Sequence, residues 1–111
     1  MTDPRQARAL LDTTIDEKAF QQLVIETARR LGWLCYHPFD SRRSSPGFPD
    51  LVMVHPEHGV VFAELKREDG KLSPFQTNWV RALTEPEQVY EVYVWRPSDW
   101  YEIAVVLGGN A

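Results

Sequence analysis

Asp50, Glu64 and Lys66 are the residues whose types and spacing suggest chemistry in this chain. They lie in the stretch Pro46 to Lys66. There Asp50-Leu51-Val52-Met53-Val54 and Val60-Val61-Phe62-Ala63-Glu64-Leu65-Lys66 flank a break at Pro56-Glu57-His58-Gly59. Two β-rich runs about a turn-forming tetrapeptide read as a hairpin. Side chains alternate across a strand, so Val61, Ala63 and Leu65 share one face, and Phe62, Glu64 and Lys66 share the other. Counting back through the turn sets Asp50 opposite Glu64-Leu65-Lys66, with a residue of latitude in the register. Two carboxylates and an ammonium thus meet at one end of an otherwise apolar hairpin.

Such a corner is costly without a use. Charges on a strand packed under a helix lose hydration, and neighbouring carboxylates repel. A divalent cation removes the repulsion. Hard oxygen donors suit Mg²⁺ or Mn²⁺, and no Cys/His cluster favours zinc. The adjacent ammonium could orient the attacking water, take part in its deprotonation, or stabilise charge at a phosphorus centre. The plainer reading is a surface Glu/Lys pair beside a turn aspartate, worth well under about 1 kcal/mol.

The elements that position these groups follow from the rest of the pattern. Ile15 to Leu31 reads as a helix ended by Gly32, with Phe20, Leu23, Val24, Ala28 and Leu31 as its apolar stripe. Glu17 extends that stripe upstream and is a candidate third metal ligand at the charged corner. It is also the last member of a Thr14-x-x-Glu17 capping box, and the two roles are compatible. Trp33 to His37 reads as a strand ended by Pro38, with His37 as a structural histidine in preference to a site contact. Phe39 to Phe48 is a loop in which Ser41, Arg42 and Arg43 either hold phosphates by charge-assisted hydrogen bonds or are simply solvated.

Beyond Lys66, the polar Arg67-Glu68-Asp69-Gly70-Lys71 forms a turn. Ser73 then N-caps a second helix, with Pro74 at N1 and Phe75, Trp79, Ala82 and Leu83 on its inner face. Gln76 either closes that cap or reaches Lys66, a water or a phosphate. Val89 to Trp95 is a fourth strand, and Asp99 caps a last helix whose inner residues are Trp100, Ile103, Ala104 and Leu107. Residues 1–13 form an N-terminal extension to a domain of residues 14–108.

Length and composition set bounds. At 111 residues, 43% hydrophobic and 25% charged, the chain is a single globular domain. No apolar run has the length of a membrane span, and the N-terminus lacks a secretory signal, so no membrane partner is expected. The lone cysteine, Cys35, excludes an intrachain disulfide framework and favours a reducing, cytoplasmic setting. A net charge of −4 counts against a non-specific nucleic-acid binder. Yet Arg42, Arg43, Lys66, Arg67 and Lys71 bracket the central motif, and local fields steer a polyanion more than net charge does.

The whole resembles a VRR-NUC domain, a branch of the PD-(D/E)xK nuclease superfamily. The residues that carry the resemblance are Glu17, Asp40-Ser41-Arg42-Arg43, Gly47-Phe48-Pro49-Asp50-Leu51, Glu64-Leu65-Lys66, Ser73-Pro74-Phe75-Gln76 with Trp79, and Val94-Trp95-Arg96-Pro97-Ser98-Asp99. The resemblance implies an α/β, restriction-endonuclease-like core: a four-stranded mixed sheet flanked by helices, in the order α-β-β-β-α-β plus a C-terminal helix. It implies that Asp50 and Glu64 bind Mg²⁺ or Mn²⁺, with Glu17 as the helix-borne acid and the Leu65 backbone carbonyl as a further ligand. Lys66 would be the catalytic lysine, and Gln76 the glutamine that completes the pocket. Ser41, Arg42, Arg43, Arg67 and Lys71 would contact DNA. Small stand-alone phage-type and bacterial members resemble junction-resolving nucleases and act as homodimers, which implies branched or flapped DNA as substrate.

The expected activity is therefore metal-dependent hydrolysis of DNA phosphodiesters. A non-catalytic module that holds a DNA end or a partner protein on the same fold is the alternative. A restriction-type or RNA-directed hydrolase on the same scaffold is a third reading, and the lack of a specificity domain disfavours site-specific restriction.

Overall fold

The structure, a computed structural model, describes residues 13–38 and 45–108. The elements run α1 (Glu17–Arg30), β1 (Leu34–Tyr36), β2 (Leu51–His55), β3 (Gly59–Leu65), α2 (Pro74–Thr84), β4 (Glu91–Trp95), a 3₁₀ turn at Pro97–Asp99, and α3 (Trp100–Val106). The strands form one sheet in the order β1-β2-β3-β4. The first two pairings are antiparallel, and β3 with β4 is parallel. The expected mixed four-stranded sheet and its α-β-β-β-α-β-α order are both present.

The alternation read from the sequence decides the packing. Leu51, Met53, Val61, Ala63, Leu65 and Trp95 face one side and are buried there with Phe20, Val24, Ile25 and Ala28 of α1 and Trp100, Ile103 and Leu107 at α3. Burying such side chains stabilises a fold by about 1.5–3 kcal/mol each before chain entropy is counted. On the opposite face Phe62 meets Phe48 and Tyr90 edge-on, and Phe48 meets Trp79 of α2. That cover reaches only part of the sheet. At the β1 edge Leu34 is 76% and Tyr36 63% exposed.

The hairpin closes through Pro56-Glu57-His58, and Gly59 takes φ 82° to re-enter the ladder opposite His55. His55 locks the turn to the end of α1. Its Nδ1 accepts from the Glu57 N–H at 3.0 Å, so Nε2 carries the proton and donates to the Leu31 carbonyl at 3.0 Å.

Two local expectations are corrected. The cap of α1 is Asp16, whose Oδ1 accepts from the Ala19 N–H at 2.7 Å, and the helix starts at Glu17, so the cap is not a Thr14/Glu17 box. Asp16 stands one turn before Ala19 and directly precedes the helix, which is the N-cap geometry. In α2 no residue is fully buried; Phe75 is 60% exposed and Ala82 is exposed as well. Cover is provided instead by Trp79 and by half-buried Gln76, Thr77, Val80 and Leu83. This helix lies over the sheet's edge, where one side finds little to pack against. Among the described residues no helix is long and apolar enough to cross a membrane.

Candidate active site

The register pairs Leu51 with Ala63, and one rung further sets Asp50 opposite Glu64. Asp50 Oδ2 accepts from the Leu65 N–H at 2.8 Å, which holds its carboxylate at the end of the rung. Glu64 is 1% exposed, on the same parity as Phe62 and under α2. Its Oε1 accepts from Gln76 Nε2 at 3.2 Å, while Oε2 is buried with no hydrogen-bond partner. Burial, above all, pushes the Glu64 carboxyl from 4.5 up to about 9, and the neighbouring Asp50 carboxylate adds to the effect. The Lys66 ammonium opposes it, and the Glu17 carboxylate reinforces it.

Gln76 closes the cap, as its position suggested, and its amide reaches Glu64, a partner not among those expected. Its Oε1 accepts from the Ser73 N–H at 2.8 Å while Ser73 Oγ accepts from the Gln76 N–H at 3.1 Å, a reciprocal cap. The amide's other end orients Glu64. The two roles separate by mutation. Ser73→Ala should cost stability of about 1 kcal/mol and leave DNA cleavage near the parent rate. Gln76→Ala should cost a similar amount of stability and also slow cleavage by at least about tenfold. Thermal melts alongside steady-state cleavage rates check the split.

Lys66 follows at the end of β3, its backbone N–H donating to the Trp95 carbonyl at 2.9 Å. Its side chain is 12% exposed and its Nζ lies 4.0 Å from Glu17 Oε1. Glu17 therefore stands by the lysine, and among the described residues no group of three or more His, Cys, Asp and Glu side chains is gathered closely enough to hold a metal ion. Arg67 pairs with Asp69 at 3.0 Å on the exposed turn that also carries Lys71. That turn is tied down by Arg96, whose Nη2 donates to the Gly70 carbonyl at 2.9 Å. Ser41, Arg42 and Arg43 lie outside the described residues. His37 is exposed and lines a groove beside α1.

A cleft of about 160 Å³ opens on Asp50, lined also by Gln21, Pro38, Ser45, Gly47, Phe48 and Gln76. Gln21 and Gly47 were not among the candidate site residues. Gly47 entered only as part of the Gly47-Phe48-Pro49-Asp50-Leu51 motif. With φ 83°, a Cβ there would lie 2.3 Å from the Phe75 carbonyl carbon and 2.5 Å from the Gln76 nitrogen. Its hydrogen lets the loop press against the first turn of α2. Gly47→Ala should therefore destabilise the chain by more than about 2 kcal/mol, through backbone strain and the clash together, and displace Gln76. Chemical denaturation measures the first effect and loss of cleavage the second.

The chain as a whole matches the family model of the VRR-NUC domain over residues 6–96. It belongs to the VRR-NUC family. VRR-NUC domains are a nuclease family within the PD-(D/E)xK superfamily, so this chain is a nuclease-type, DNA-processing module. Two solved structures share the VRR-NUC fold. One, "VRR_NUC domain protein", superposes with a TM-score of 0.63 at 18% identity, covering 86% of this chain and 93% of its own. The other, "VRR_NUC domain", gives 0.57 at 24% identity, covering 80% and 92%. No curated protein matches the sequence.

The VRR-NUC site fits a hard divalent cation on its own geometry. A buried carboxylate oxygen without a partner faces a second carboxylate, and all the donors are oxygens. Asp50 and Glu64 would hold the ion.

Proposed function

We propose that this VRR-NUC chain is an Mg²⁺- or Mn²⁺-dependent DNA endonuclease acting on branched or flapped DNA. The observation that carries the reading is the unpartnered Glu64 Oε2, buried beside Asp50 with Lys66 two residues along the same face. Asp50, Glu64 and the Leu65 carbonyl hold the metal, with Glu17 supporting from α1. A bound ion supplies Lewis-acid polarisation of the scissile phosphate and lowers the pKa of an attacking water. Gln76 fixes the rotamer of Glu64, so the acid pair is set before substrate arrives. Lys66, held at a strand end and mostly screened from solvent, places its ammonium against the negative charge that grows at phosphorus. Arg42, Arg43, Arg67 and Lys71, with Ser41, contact phosphates around the site. Two chains as a homodimer would present paired sites to two strands of a junction; the poorly covered α2, with Phe75 exposed, supports such an assembly.

The experiment is a cleavage panel of four-way junction, flap, linear duplex and single strand in Mg²⁺ or Mn²⁺, with Lys66→Ala alongside and mass determined in solution. The expected result is cleavage of branched substrates that Lys66→Ala loses. Binding of DNA with no cleavage of any substrate in either metal would instead identify a non-catalytic binding module.

A further inference from the structure

A second concavity, about 310 Å³, runs along the outward side of α1. Lys18, Gln21, Gln22, Glu26 and Arg29 line it from the helix, and His37 from beyond β1. These helix positions recur at three- and four-residue intervals, so they form one continuous stripe, and buried Ile25 is its floor. Gln21 also lines the cleft on Asp50, and Pro38, the neighbour of His37, lines that cleft too. The two concavities thus share a wall.

We propose that this α1 groove holds an unpaired DNA strand that flanks the scissile phosphate. The inference rests on the nuclease reading above and adds where the flank runs. Three features support it. The groove adjoins the cleft on Asp50 at Gln21, which lines both. Lys18 and Arg29 stand at its two ends, are exposed, and make no ion pair among the described residues, so both are available to phosphate oxygens. Their separation of eleven residues corresponds to about 16 Å of helix, the length of about five nucleotides of a strand that keeps the stacked 3.4 Å rise of a duplex. Between them lie the Gln21 and Gln22 amides, which donate and accept and so suit sugar and base edges without a fixed sequence. Glu26 is the carboxylate in this groove, and it opposes the polyanion.

The test uses the full chain. Fluorescence anisotropy of the Asp50→Asn protein is measured with duplexes carrying single-stranded flanks of zero to eight nucleotides on either side. Affinity is expected to rise with flank length up to about five nucleotides and then level off. Lys18→Gln with Arg29→Gln should weaken binding of the flanked DNA on the order of tenfold, and reduce the salt slope by about 1.4, two single-strand phosphates at about 0.7 each. Glu26→Gln should tighten binding of the same DNA, a gain that misfolding does not produce. In the cleaving parent the double variant should raise KM on flanked substrate and leave kcat unchanged. Equal affinity and salt slope in parent and double variant would overturn the groove. So would a loss of the same size on DNA with no flank, which would mean a diffuse field. If the parent cleaves DNA normally in either case, the nuclease reading survives; if it binds no DNA at all, both fall.

Discussion

Asp50→Asn should abolish metal-dependent cleavage, lowering kcat by on the order of 10³-fold or more, and leave the fold in place. The asparagine oxygen can still accept from the Leu65 N–H, so the rung that Asp50 closes is kept. What is lost is the charge that, with Glu64, would offset a bound divalent ion. Removing that charge also takes away one of the influences that push the Glu64 carboxyl upward. The variant should therefore melt at or above the parent temperature in chelator. Cleavage rates on labelled junction DNA and melts by circular dichroism give the two readouts. Parent-level cleavage by Asp50→Asn would refute the assignment of the acid pair.

The second large effect concerns pH. Glu64 titrates at about 9 in the metal-free fold against an ordinary 4.5, so the folded chain binds this proton more tightly than the unfolded chain does. A raised acid contributes its stability in full below the unfolded value. That contribution declines as pH rises and is gone once pH passes the folded value. Without metal, the parent should thus lose stability progressively between about pH 4.5 and pH 9. Glu64→Gln removes the titration and keeps an oxygen for Gln76 Nε2. Near pH 9 in chelator its melting temperature should exceed the parent's by about 5 °C or more, since about 1 kcal/mol moves a domain of this size by 4–8 °C. The same variant should fail to cut DNA. Parallel melting curves for parent and variant across this range would contradict the burial argument. Mg²⁺ should reverse the parent's loss at high pH, because it binds the ionised pair and hence the folded state alone.

Most of this site was legible before any coordinates. Period-two alternation placed Glu64 and Lys66 on one face, and the four-residue break set Asp50 opposite Glu64-Leu65-Lys66, a span whose first residue is the one it faces. The Ser73-Pro74-x-Gln76 signature located the start of α2, because caps are local and leave a local trace. The misses have equally physical causes. Thr14 and Asp16 are both cap-forming types, and only the path of the chain into α1 decides between them. The inner face of α2 was assigned by apolarity, yet Phe75 sits in the first turn, where Gly47 brings a loop against the backbone and the ring is left outside. Gln21 and the α1 groove left no trace at all. Lys18, Gln22, Glu26 and Arg29 have the composition of any solvated helix surface, and it takes the tertiary path of Pro38 to turn that surface into a wall of the cleft.

The double engagement of Gln76 has a consequence for how this protein can be improved. Stabilising a natural domain commonly begins with better helix caps, a route that usually leaves function alone. Here a stronger carboxylate at the third helical position, Gln76→Glu, would set a like charge against buried Glu64, so the usual consensus choice is closed. Gains in heat tolerance would have to come from remote positions such as the exposed β1 edge, and directed-evolution libraries should leave the first turn of α2 untouched.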